Sequence, residues 1–185
     1  MSISDLLYTD SIWFIGGIVL LASYFWLRKK FPHHAIFSLN YQNPLRTFII
    51  PLIVTFIVLS AFRFFSGIPL IETRVTNWFA IISYIITGPF FEELFLRGLI
   101  LGGSFYLASK IESKIASNFF IGIGFIIQLS IFIFIHGYTD WTRILYLGII
   151  GLMYSLLFIF NKKDVLPSMI SHALTNLMII AGIFS

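Results

Sequence analysis

The sequence predicts an all-α fold, a polytopic membrane bundle of about six transmembrane helices, and three observations carry that expectation. The 185 residues are 58% hydrophobic and 11% charged, with 22 phenylalanines and a mean hydropathy of +0.95, more apolar surface than a soluble core can bury. The apolar stretches are continuous and lack alternation of period two, which argues against a transmembrane β-barrel. The basic residues fall in short segments between apolar runs. The net charge of +4 and the pI near 9.4 therefore read as membrane topology, and no nucleic-acid partner is expected. Cysteine is absent, which excludes disulfides, thiolate catalysis and cysteine metal sites.

Taken in order, the apolar runs place spans at about 12–27, 47–65, 78–107, 118–137, 143–160 and 165–184. The first is a retained anchor, since Asp5 and Asp10 precede it and Arg28, Lys29 and Lys30 follow it, the reverse of a cleavable signal. A basic connector, 31–46, holds the pair His33 and His34, which reads as solvated in a polar linker. Pro51 falls in the early turns of the second span, where proline is tolerated. The third span is too long for one straight helix and is expected to break at Gly88-Pro89. Asp164 and Pro167 mark the start of the last helix, as a cap and an early-turn proline. Arg28, Lys29, Lys30, Arg46, Lys110, Lys114, Lys162 and Lys163 fall on one side, against Arg63, Arg74 and Arg143 on the other. The positive-inside rule then puts both termini outside the cytoplasm of an integral membrane protein. Residues 1–74 form an N-terminal prefix of two spans and the connector, and 75–185 a second helix bundle.

The third span contains the costliest residues in the chain. Glu92, Glu93 and Arg97 lie in a lipid-compatible segment, where each ionised group costs about 2.5–3.5 kcal/mol near a helix centre. On a helix, Glu93 and Arg97 are four residues apart and can pair, while Glu92 lies about 100° round and points elsewhere. This predicts one supporting carboxylate and one working carboxylate. If Pro89 restarts the helix, both glutamates fall near its first turn, at the positive end of the dipole. Gly98 and Gly102, one turn on, let a neighbouring helix approach closely.

Two other spans carry polar groups. His136 closes a strongly apolar run, with Phe132 one turn below it; by itself it reads as an interfacial or hydrogen-bonded histidine. His172 and Asn176, four apart, direct their donors the same way, and a hydrogen-bonded helix contact would explain them. Together the three places hold two Glu, an Arg, two His and an Asn in a chain with few other intramembrane ionisable groups, and such residues point to function. The set offers a base, imidazole partners and hydrogen-bond donors. That suits activation of water for attack on an amide.

The ordered patterns Glu92-Glu93-x-x-x-Arg97, Phe132-x-x-x-His136 and His172-x-x-x-Asn176 resemble the three motifs of the CPBP family, the CAAX-protease and bacteriocin-processing proteins also called the Abi family. The resemblance covers roughly 75–185. It implies a glutamate-type intramembrane endopeptidase of a bacterial plasma membrane, acting on a peptide or a membrane-anchored protein. It further implies that Glu92 is the general base, working with His136, that Glu93 pairs with Arg97, and that His172 and Asn176 stabilise the oxyanion. No cofactor is expected. Zinc held by Glu92, His136 and His172 is the alternative, ranked second because ligands supplied singly from three helices leave no spacing signature. Two readings without proteolysis stand beside it: an immunity or scaffold protein, and a small transporter using Glu92 and the histidines as a proton relay.

One feature conflicts with these spans. Glu92 and His172 lie about 18–21 Å below the outer face at 1.5 Å per residue, and His136 lies almost at that face. Residues Gly137 to Trp141 are therefore expected to be buried, as an extension of the fourth span or a re-entrant segment.

Overall fold

The computed structural model describes residues 15, 18–19, 22–23, 25–26, 29, 38–39, 43–67 and 81–183. From Leu45 onward these form five helices: α1 (Leu45–Ser66), α2 (81–108), α3 (Lys114–Ile135), α4 (Trp141–Phe160) and α5 (Leu166–Ile180). Among the described residues there is no strand, only an isolated bridge between Ser38 and Asp164. By length and composition α1, α3 and α4 can cross a membrane. Among the described residues three candidate spans thus stand, against the six expected of the whole chain. The run at 12–27 lies largely outside the described residues, and His33 and His34 lie wholly outside them; α2 carries three charged side chains; α5 has only 15 residues.

Local chemistry sets the helix ends. Ser113 caps α3 by accepting the Ala116 N–H, and Asp140 caps α4 by accepting the Arg143 N–H at 2.9 Å. Pro167 sits in the first turn of α5 as the sequence predicted, while Asp164, expected as the cap, lies one residue ahead of the N-cap Val165 and accepts the Leu166 N–H at 3.1 Å. Gly67 ends α1 in the left-handed conformation at φ 65°.

The expected break at Gly88-Pro89 is not found. Residues 81–108 run on as one helix, and Gly88 has φ −58° and ψ −60°, ordinary helical values. Glu92 and Glu93 are accordingly mid-helix, away from any helix N-terminus, and the dipole contribution expected for them is absent. The helix tolerates Pro89 by widening ahead of it. Ser83–Thr87 is a π-helical segment, closed by the Gly88 N–H on the Ser83 carbonyl five residues back. A proline ring collides with the carbonyl four residues before it, and the wider turn relieves that collision. The same device precedes Pro51: Leu45–Ile49 is π-helical and the Ile50 N–H donates to the Leu45 carbonyl. A third π-helical stretch, Leu94–Leu101, carries Arg97.

The helices pack with α5 at the centre, against α1, α4 and the first half of α2, while the second half of α2 packs on α3. Leu59, Leu96, Phe132, Ile150 and Tyr154 form a core shared by the first four helices. Gly98 and Gly102 are buried. Gly124 of α3 faces Ser104 of α2 so closely that a Cβ there would overlap the serine side chain. Outward-facing Phe64, Phe65, Phe134 and Phe160 are exposed, as suits a lipid-facing surface. Hydroxyls from Thr55 of α1 and Ser171 of α5 share a buried hydrogen bond, and Ser38 pairs with the chain before α5 through its N–H on Lys163 and its carbonyl on Val165.

Gly137 to Trp141 does not extend α3. The helix ends at Ile135, Gly137 turns the chain at φ 66°, and Gly137, Thr139, Asp140 and Trp141 are exposed, with Tyr138 alone packing back onto the core. His136 enters the bundle by another route. Helical side chains lean towards the N-terminus, and its ring folds back one turn so that Nδ1 meets the Phe132 carbonyl at 2.7 Å.

Candidate active site

Glu93 links Arg97 and His172 through one oxygen, while its Oε2 is buried with no hydrogen bond within the protein. Fully buried, its Oε1 accepts from Arg97 Nη1 at 3.0 Å and from His172 Nδ1 at 3.0 Å. The pairing of Glu93 with Arg97 is the one expected from the sequence; the bond to His172 was not foreseen. Arg97, also fully buried, donates through Nη2 to the Gly151 carbonyl at 3.0 Å. Its guanidinium lies over the rings of Phe132 and Tyr154, at 4.7 and 5.4 Å from their centroids. A cation dehydrated in this way is stabilised by a carboxylate, a carbonyl dipole and two aromatic faces.

His172 is fixed on both sides. A carboxylate oxygen can only accept, so Nδ1 carries the proton towards Glu93, and the ring presents Nε2 to Glu92 Oε2 at 4.0 Å. Tyr154 stacks on the imidazole at 4.8 Å, and the Phe132 ring meets it edge-on at 5.9 Å. Glu92 Oε2 is buried and makes no hydrogen bond within the protein, and the Glu92 side chain retains 17% exposure. A buried carboxylate oxygen in that condition is suited to binding water or a reacting group.

His136 belongs to the same cluster. Its ring sits 4.6 Å from that of Phe132, and Glu92, His172 and Arg97 all act on it electrostatically. Since a carbonyl also only accepts, its Nδ1 is the protonated nitrogen and Nε2 keeps its lone pair when the ring is neutral. Lying just past the end of α3, His136 has a pKa pushed below the ordinary 6.5, chiefly by burial, with the Glu92 charge opposing.

Asn176 is placed differently from the others. Its Nδ2 donates to the Tyr84 backbone carbonyl at 2.7 Å, tying α5 to the start of α2. The zinc alternative would need Glu92, His136 and His172 to converge, and among the described residues no three His, Asp or Glu side chains are grouped to hold a metal ion.

Several supporting residues escaped the sequence reading. Tyr154, Gly151, Ser155 and Gln128 form the wall behind Arg97: Gln128 Nε2 donates to Ser155 Oγ at 2.8 Å, and Ser155 Oγ donates to the same Gly151 carbonyl that Arg97 uses. A glutamine amid the apolar run of α3 was the available signal, and its partner lies 27 residues away.

Comparison with curated proteins and with solved structures found no match. The family model for type II CAAX prenyl endopeptidase Rce1-like proteins matches residues 74–178, which include every residue of this cluster. With more than half of its length matched, the chain belongs to the Rce1-like type II CAAX prenyl endopeptidase family.

Proposed function

We propose that this chain is an intramembrane endopeptidase that hydrolyses a peptide bond in a peptide or membrane-anchored protein, with Glu92 as the general base. The observation that carries the reading is the facing of Glu92 Oε2 and His172 Nε2 across 4.0 Å, with Glu93 holding the imidazole from behind. A heavy-atom gap of that size between two polar groups accommodates a shared reacting group better than a direct hydrogen bond.

In the proposed reaction, Glu92 and neutral His136 orient a water molecule, and Glu92 takes its proton as the oxygen bonds to the scissile carbonyl carbon. The resulting oxyanion accepts a hydrogen bond from His172 Nε2 in its protonated form. The carbon–nitrogen bond then breaks, and the proton held by Glu92 passes to the departing amine. No metal takes part in this scheme. Association with the lipid bilayer follows from the apolar exterior, and a CAAX-type carboxyl terminus is the first substrate to try.

The test uses the protein purified in detergent with one CAAX peptide in farnesylated and unmodified forms, and product detected by mass spectrometry in the presence of chelator. Wild type is expected to cleave, and Glu92→Gln to lose on the order of 10²- to 10⁴-fold in rate. Equal product from wild type and Glu92→Gln would overturn the assignment of the base. Cleavage that stops in chelator would return zinc to consideration.

A further inference from the structure

Pro51 and Pro89 each follow a π-helical segment of five residues, and at both the last hydrogen bond before the proline spans five residues: Ile50 to Leu45, and Gly88 to Ser83. In that register the next donor would be the proline itself, and proline has no N–H. At Pro51 this happens in the first turns of α1. At Pro89 it happens inside the bundle, where the carbonyl that position 89 would serve is that of Tyr84. The donor that reaches the Tyr84 carbonyl comes from another helix, Asn176 Nδ2 at 2.7 Å.

We propose that Asn176 is a positioning residue whose amide supplies the hydrogen bond Pro89 cannot give to the Tyr84 carbonyl, fixing the widened turn that precedes Glu92. Glu92 lies three residues past Pro89, and its Oε2 must be held opposite His172, which is on the same helix as Asn176 and one turn before it. One face of α5 thus sets both sides of the gap. Nε2 of His172 defines one wall, and Nδ2 of Asn176 sets the register of the helix that carries the other. The expectation from sequence made Asn176 an oxyanion donor; the bond to the backbone of α2 engages one of the two N–H groups of its amide.

The inference uses peptide cleavage as its readout and so rests on the protease reading; loss of cleavage in Glu92→Gln tests that reading separately. Four proteins are compared: wild type, Asn176→Ala, Pro89→Ala and the double variant. Asn176→Ala is expected to lower kcat by roughly tenfold, the upper end for loss of one intramolecular hydrogen bond, with KM little changed. In the Pro89→Ala background the N–H regained at position 89 can serve the Tyr84 carbonyl, and removing Asn176 should cost less than about threefold. Losses that simply multiply in the double variant would overturn the proposal. If Pro89→Ala alone is inactive, the pH profile of Asn176→Ala decides. A displaced Glu92 shifts the acidic limb of kcat, whereas loss of an oxyanion donor scales the rate equally at every pH, and an unshifted limb overturns the proposal.

Discussion

Glu93 gives one oxygen to two donors, so Arg97 and His172 are coupled through a single atom. Breaking a buried ion pair from one side leaves a charge uncompensated, at about 3–5 kcal/mol. Arg97→Met should therefore lower the thermal midpoint in detergent sharply, and adding Glu93→Gln to it should recover part of the loss. Phe132 is the common floor under the guanidinium and both imidazoles, and Phe132→Ala removes packing worth about 3–5 kcal/mol while leaving every polar group in place. Cleavage should fall further than the melting temperature alone explains, measured at a temperature where both proteins are folded. The sign of the pH effect follows from His136. Its folded pKa lies below that of the unfolded chain, so the unfolded chain binds more protons as pH falls through 6.5, and stability drops there and levels off above it. His136→Gln should flatten that slope between pH 5.5 and 7.5 in thermal melts. These residues were legible from sequence because ionisable groups stand out in an apolar chain. Their partners were not, since the backbone carbonyl of Gly151 and the ring of Tyr154 leave no pattern that separates them from ordinary packing.

At the level of helices, the four-residue spacings were readable. Glu93 with Arg97, and Phe132 with His136, do lie on common faces. The π-helical segments were not, because hydropathy cannot tell a bond of four residues from one of five. Proline was rightly seen as a disturbance at position 89, but the disturbance is absorbed by widening of the turn ahead of it. The approach of α2 to α3 is set by Gly124 against Ser104, whose hydroxyl turns back to its own Ile100 carbonyl. Gly124→Ala would overlap Ser104 and should destabilise by about 1–3 kcal/mol. Ser104→Gly in the same chain should restore most of that loss, measured by thermal unfolding, because it empties the space the new methyl needs.

For the molecule as a whole, composition established a helical membrane protein, and the number of spans depended on segments that composition cannot resolve. The bridge from Ser38 to the chain before α5 places Ser38 and Lys163 at the same end of the bundle. The absence of cysteine makes sidedness measurable without background. A cysteine at Trp141 should react with a membrane-impermeant maleimide, and one at Phe134, exposed on the flank of α3, should react only with a lipid-soluble reagent. The widened turn before Pro89 has a consequence for chain length. A helix that has accommodated a surplus residue can also release it, and one residue is worth about 100° of rotation. Tightening of 83–87 to α-helix with every residue kept would swing everything upstream past Glu92 by that angle, whereas deleting one position there would remove the surplus and leave both flanks in register. The exact length of a stretch with no charged side chain would then govern the site as firmly as the identity of its acids.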